Sequence, residues 1–81
     1  MSKPRTLPQV EPFYVLIGQR MKHVREFLGK RQEDVAAKCG LTRTSVVNIE
    51  AGRQRFPAHF VEIFAKALGV KPKKLLREIW T

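Results

Sequence analysis

Four residues in one short stretch carry side chains suited to recognising a base pair: Arg43, Thr44, Val47 and Asn48. Spaced i, i+1, i+4 and i+5, they fall on one face of a helix. Arginine donates in bidentate fashion to guanine O6 and N7, and asparagine pairs with adenine N6 and N7. Thr44 can reach a base or a phosphate. Val47 is apolar on an otherwise polar face, which suits a thymine methyl better than water. The opposing reading is a plain solvated helix face, and Val47 fits it poorly. Val46 and Ile49, three apart on the other side, are expected to anchor this helix in a core.

Groups suited to gripping phosphate flank this stretch. Lys30 and Arg31 stand before Gln32, which opens a helix where backbone N–H groups also face an anion. Arg53, Gln54 and Arg55 follow the candidate reading helix. Contacts of this kind set register and orientation and carry no sequence information. The whole chain supports them electrostatically. Sixteen Lys plus Arg against seven Asp plus Glu give a net charge of +9 on 81 residues. Such a field draws polyanions, whether nucleic acid, an anionic membrane surface or an acidic protein. Charge alone does not choose among them.

The helices that hold these residues in place follow from periodicity and punctuation. Pro4, Pro8 and Pro12 among polar neighbours predict an extended N-terminal arm over residues 1–12, with Lys3 and Arg5 available to phosphates or a minor groove. Residues 13–81 then form a single domain. Ile17, Met21, Val24 and Leu28 make one helical stripe, which Gly29 ends. Gln32 to Cys39 is a second helix with Val35, Ala36 and Cys39 inward, stopped by Gly40, and Leu41 plugs the turn. Thr42 is a good N-cap for a third helix running from Arg43 to about Ala51, before Gly52. Phe56-Pro57 opens a fourth helix with Ala58, Val61, Phe64, Ala65 and Leu68 inside, ended by Gly69. A fifth follows Pro72, with Leu75, Leu76, Ile79 and Trp80 apolar. Helix, glycine-containing turn and capped helix over residues 32–52 have the spacing of a helix-turn-helix, whose second helix enters the major groove.

Other chemistry has little foothold. Cys39 is the sole cysteine, so no intrachain disulfide and no cysteine zinc site can form, even with His23 and His59. Cys39 reads as a small buried apolar residue, ahead of a redox sensor. No nucleophile–base pair, carboxylate pair or glycine-rich phosphate loop is visible, so no enzyme, metal or cofactor is expected. No apolar run approaches the ~18 residues of a membrane span, and the start lacks the apolar stretch of a signal peptide. The expected compartment is the cytoplasm.

From Ile17 to Leu76 the chain resembles the lambda-repressor/Cro-type (XRE-like) helix-turn-helix family. The resemblance lies in Ile17-Gly18-Gln19-Arg20-Met21, Gln32-Glu33-Asp34-Val35-Ala36, Gly40-Leu41-Thr42-Arg43, Ile49-Glu50-Ala51-Gly52-Arg53 and Ala65-Lys66-Ala67-Leu68-Gly69-Val70. Each segment is weak alone; in this order and spacing they are specific. The resemblance implies an all-α, five-helix domain that regulates transcription, most simply as a repressor on a palindromic operator. It further implies that Gln32 contacts phosphate and braces the reading helix, that Arg43, Thr44, Val47 and Asn48 meet bases, and that Arg25 and Glu50 form a partly buried ion pair. Arg31 departs from the family's usual Ser, Thr or Asn helix cap, a loss of about 1 kcal/mol. Lys30 replaces a commonly apolar residue, and Pro57-Ala58 a usual cap-plus-leucine pair, which blurs the start of the fourth helix.

The expected partners are double-stranded DNA and a second copy of the chain, since such proteins bind half-sites about one turn, ~34 Å, apart. Phe56, Leu76, Ile79 and Trp80 are candidates for that homodimer interface, and each could instead cover the core; Phe56 could also staple onto Phe60 or Val61. Two other classes stay open. One is an antitoxin-like protein that neutralises a partner and regulates its own operator. The other is a protein-binding module that kept the fold without the DNA contact.

Overall fold

The computed structural model describes residues 12–80, with side-chain environments through Leu76. The expected arm and the side chains of Ile79 and Trp80 therefore lie outside the described residues. Five helices follow one another: α1 (Pro12–Phe27), α2 (Gln32–Cys39), α3 (Arg43–Glu50), α4 (Phe60–Leu68) and α5 (Pro72–Trp80). Among the described residues there is no strand, so the fold is all-α as the sequence predicts.

Each of α1 to α4 ends beside a glycine of positive φ, at the four positions the sequence marks. The apolar stripes then find one another. Ile17 and Met21 of α1, Val35 of α2, Val46 and Ile49 of α3, Phe64 of α4 and Leu75 of α5 are all fully buried. Every helix thus contributes to one core, as a domain of this size requires. α3 packs against α1 and α2, α4 against α2 and α5, and α5 closes back on α1. A ladder of rings runs along one side. Tyr14, Phe56, Phe60 and Phe64 pack in succession, the first pair edge-to-face and the others tilted, with centroids 4.9, 5.6 and 5.8 Å apart. Phe56 is buried within this ladder, where its ring packs against Phe60.

Several local expectations need correction. Leu28 is 40% exposed, because α1 ends at Phe27 and the next residues turn away from the stripe. Leu41 is only partly buried, though it packs against the core. α4 begins at Phe60, not at Phe56-Pro57. Residues 57–59 instead form tight turns in which Phe60 N–H donates to the Pro57 carbonyl (2.8 Å) and Val61 N–H to the Ala58 carbonyl (3.2 Å). That three-residue step rotates Ala58 outward, and it is exposed. Phe60 and Ala67 take buried places that the expected stripe omits.

Gly18 settles how α1 meets α3. A Cβ built there would lie 2.1 Å from the Ile49 carbonyl oxygen, a backbone atom that no side-chain rotation can clear. The two helices therefore touch backbone to side at this point, and α3 is held close against α1. On an exposed helix, Gly→Ala stabilises by roughly 1 kcal/mol. Here Gly18→Ala should destabilise by about 3 kcal/mol through overpacking, measured by urea unfolding. A stabilised variant would show that the contact relaxes freely.

Candidate nucleic-acid interface

α3 presents the four candidate base readers on one side and its core anchors on the other. Val46 and Ile49 are buried, Arg43 and Thr44 exposed, and Val47 and Asn48 half-buried. Val47 is thus less open than a fully solvated face would make it. The helix starts where Thr42 predicts: its hydroxyl accepts from the Ser45 N–H at 3.1 Å, satisfying a donor that helix geometry leaves orphaned. A cap of this kind is worth about 1 kcal/mol, and here it also fixes where Arg43 and Thr44 emerge.

Behind the helix lies the polar bracket that aims it. Glu50 in the last turn of α3 is 3% exposed, and Arg25 in α1 is 7% exposed. The guanidinium grips the carboxylate with two bonds, Nε to Oε2 at 2.6 Å and a second terminal nitrogen to Oε1 at 3.0 Å. Its other terminal nitrogen donates to the Lys30 carbonyl at 2.8 Å. Gln32, the first residue of α2, donates its side-chain amide to Glu50 Oε1 at 3.0 Å. One carboxylate therefore links α1, the loop before α2, α2 itself and α3. Among the described residues every buried side-chain nitrogen and oxygen has a partner. The hydrogen bond to Glu50 holds the Arg25 guanidinium above its ordinary pKa, against the opposing effect of burial. Charge on this arginine is accordingly permanent.

The flanking cations are arranged less uniformly than the sequence suggests. Arg31 sits at the N-cap of α2 in an extended conformation and makes no capping bond. Its Nε approaches Asp34 Oδ2 at 3.4 Å and Glu33 Oε2 at 3.8 Å, and it is largely exposed. Lys30 is half-buried and contributes its carbonyl to Arg25. Arg55 is exposed and Gln54 half-buried, in the loop after α3. Two tethers were not anticipated. Glu33 Oε1 lies 3.8 Å from Arg43 Nε, and Arg53 Nε donates to Asn48 Oδ1 at 3.3 Å. Neither side-chain pairing has a sequence signal, although Gly52 marks the chain reversal that brings Arg53 back beside Asn48. Cys39 is half-buried against the core, and burial pushes its thiol pKa up, which suits an inert packing role.

Truncation of Glu50 tests the bracket. Glu50→Ala leaves the Arg25 cation buried and unpaired and should cost about 3–5 kcal/mol. In urea unfolding, the double variant with Arg25→Met should lose less than the sum of the two single variants, because each single change strands the other partner. Additive losses would show that the two groups are not coupled.

The geometry has counterparts among known proteins. A family model described as a helix-turn-helix domain matches residues 16–79. The control protein C.BamHI of Bacillus amyloliquefaciens is 40% identical over 65 residues, which cover 76% of this chain and 78% of that protein. The crystal structure of the restriction-modification controller protein C.AhdI from Aeromonas hydrophila aligns with a TM-score of 0.73 at 31% identity, covering 80% of this chain and 98% of that one. A further match is the restriction-modification controller protein C.Esp1396I, crystallised as a tetramer in complex with its natural 35 base-pair operator. Its TM-score is 0.74 at 27% identity, over 88% of this chain and 99% of that one.

Proposed function

The chain belongs to the helix-turn-helix domain family and is a sequence-specific DNA-binding regulator of transcription, and we propose that it acts as a homodimeric controller of a restriction-modification locus. The observation that carries this reading is the division of α3. Its inward residues are locked into the core and its helix end is clamped by Arg25, Glu50 and Gln32, while Arg43, Thr44, Val47 and Asn48 stand outward. A helix held that rigidly can hold side chains in register with base edges in a major groove. The likeness to C.AhdI and C.Esp1396I, both named as restriction-modification controller proteins, supports the biological setting.

In this reading Arg43 donates to a guanine, Thr44 to a base or phosphate, and Val47 covers a thymine methyl. Lys30, Arg31, Gln32, Gln54 and Arg55, with the cation of Arg53, rim the helix and meet phosphates. Gln32 retains one amide proton for that purpose beyond the one it gives to Glu50. Two copies pair through α5, where Leu76, Ile79 and Trp80 recur at apolar positions. Bound across a promoter, the dimer acts by occluding or recruiting polymerase in the cytoplasm, by binding and not by catalysis. Among the described residues no helix is long and apolar enough to cross a membrane.

Selection of sites from random duplex DNA at near-physiological salt tests the reading, salt being fixed because phosphate contacts make affinity steeply salt-dependent. The expected product is a palindrome with half-sites about ten base pairs apart. On it, Arg43→Ala should lose about 1–3 kcal/mol and relax preference at one base position, while Arg55→Ala weakens all sequences alike. Recovery of no motif would overturn the assignment and leave the charge as a source of non-specific attraction only.

A further inference from the structure

The C-terminal end of α3 holds a contact that base reading by α3 alone does not require. Arg53 Nε–H donates to Asn48 Oδ1 at 3.3 Å, and the Arg53 backbone N–H donates to the Asn48 carbonyl at 2.8 Å. Between them Gly52 turns the chain with φ +78°, its own N–H on the Ile49 carbonyl at 3.1 Å. These two backbone bonds make a Schellman cap, which sets the residue after the glycine beside the residue five positions earlier. In most such caps the meeting side chains are apolar. Here they are an arginine and the asparagine at the end of the outward face of α3.

The chemistry of an amide makes this consequential. Asparagine has an acceptor at Oδ1 and donors only at Nδ2. To pair with adenine in bidentate fashion it must accept from N6 at Oδ1 while donating to N7. A guanidinium on Oδ1 competes for that acceptor and turns the amide so that its NH2 group is what it presents. No described residue takes a hydrogen bond from that NH2 group. Guanine offers only acceptors along its major-groove edge, O6 and N7, and so requires donors alone.

We propose that Arg53 is a positioning residue for specificity: it holds the Asn48 amide with its oxygen toward the loop, so that Asn48 favours guanine over adenine. The inference rests on the reading of α3 as the major-groove helix. It departs from the sequence expectation that Asn48 reads adenine and that Arg53 serves phosphate alone. Arg53 is exposed and the bond is longer than most N–H···O bonds, so the effect is a bias and not an absolute filter.

The test titrates wild type, Asn48→Ala, Arg53→Ala and Arg53→Gln against the selected site with each base placed at each position. Arg53→Gln sets an amide N–H as many bonds from the backbone as Nε while removing the charge. Wild type should prefer guanine to adenine about tenfold at the one position that Asn48→Ala blurs. Arg53→Ala should erase that preference, and Arg53→Gln should restore it despite weaker binding overall. If Arg53→Ala and Arg53→Gln instead weaken every sequence alike with an unaltered profile, Arg53 is a phosphate contact and the inference falls while the DNA-reading stands. A wild type that selects no motif overturns both together. A measurement on the free protein is independent of DNA: the Asn48 NH2 resonances should move in Arg53→Ala, and unmoved resonances would refute the positioning role.

Discussion

A carboxylate without water around it is among the most expensive groups a small domain can contain, and Glu50 is nearly inaccessible. Its presence is tolerable because both carboxylate oxygens have partners. Arg25 supplies a bidentate grip and Gln32 an amide proton, and the remaining guanidinium nitrogen donates to the Lys30 carbonyl. The directional demand of those bonds is what matters. A hydrophobic contact tolerates sliding by an ångström or more, whereas a fork of bonds near 3 Å does not. The pair therefore contributes less to stability than to geometry: it ties three helices at a common point and sets the pitch of α3 against the others.

Gly18 complements that constraint from the other side of the same helix crossing. The ion pair is a tether and the glycine a contact stop, with the Ile49 carbonyl resting where any side chain would stand. Between a tether and a stop α3 has few ways to move. Thr42 at one end and the Gly52 turn at the other then define its length. Rigid placement of this kind is what base recognition demands, since misplacing a bidentate donor by a fraction of an ångström forfeits most of its discrimination.

Much of this is legible in the amino-acid sequence, and the legible parts share a cause. Val46 and Ile49 inward, the Thr42 cap and the glycine stops all depend on residues within one or two turns of each other, so periodicity and local bonding suffice to read them. The helix-turn-helix spacing over residues 32–52 is local in the same way, whereas the Arg25–Glu50 pair follows only from resemblance to a family. The errors lie where packing between distant segments decides. Leu28 continues the stripe of α1 by spacing yet stands outside, because the helix has already ended. Pro57 is compatible with a first helical turn, but the segment settles into tighter turns and Ala58 faces out. The Gly18 contact involves the backbone of a helix some thirty residues away, and a glycine inside a helix reads in sequence only as a weakness. The Arg53–Asn48 bond combines a local cap with two side chains whose pairing no residue pattern announces.

The way α3 is divided has an evolutionary side. Its outward residues carry almost none of the core, so they can be exchanged one at a time with little penalty to folding. With α3 as the proposed reading helix, single substitutions can carry a lineage from one operator to another, and related copies in one cell can diverge until they ignore each other's sites. The residues that hold the helix obey the opposite rule. Losing either Arg25 or Glu50 alone leaves a charge stranded, so replacing that pair demands two changes at once, with an unfit intermediate between them. Such a chain should accumulate new binding preferences quickly while its frame stays in place, held there by the valley that surrounds it.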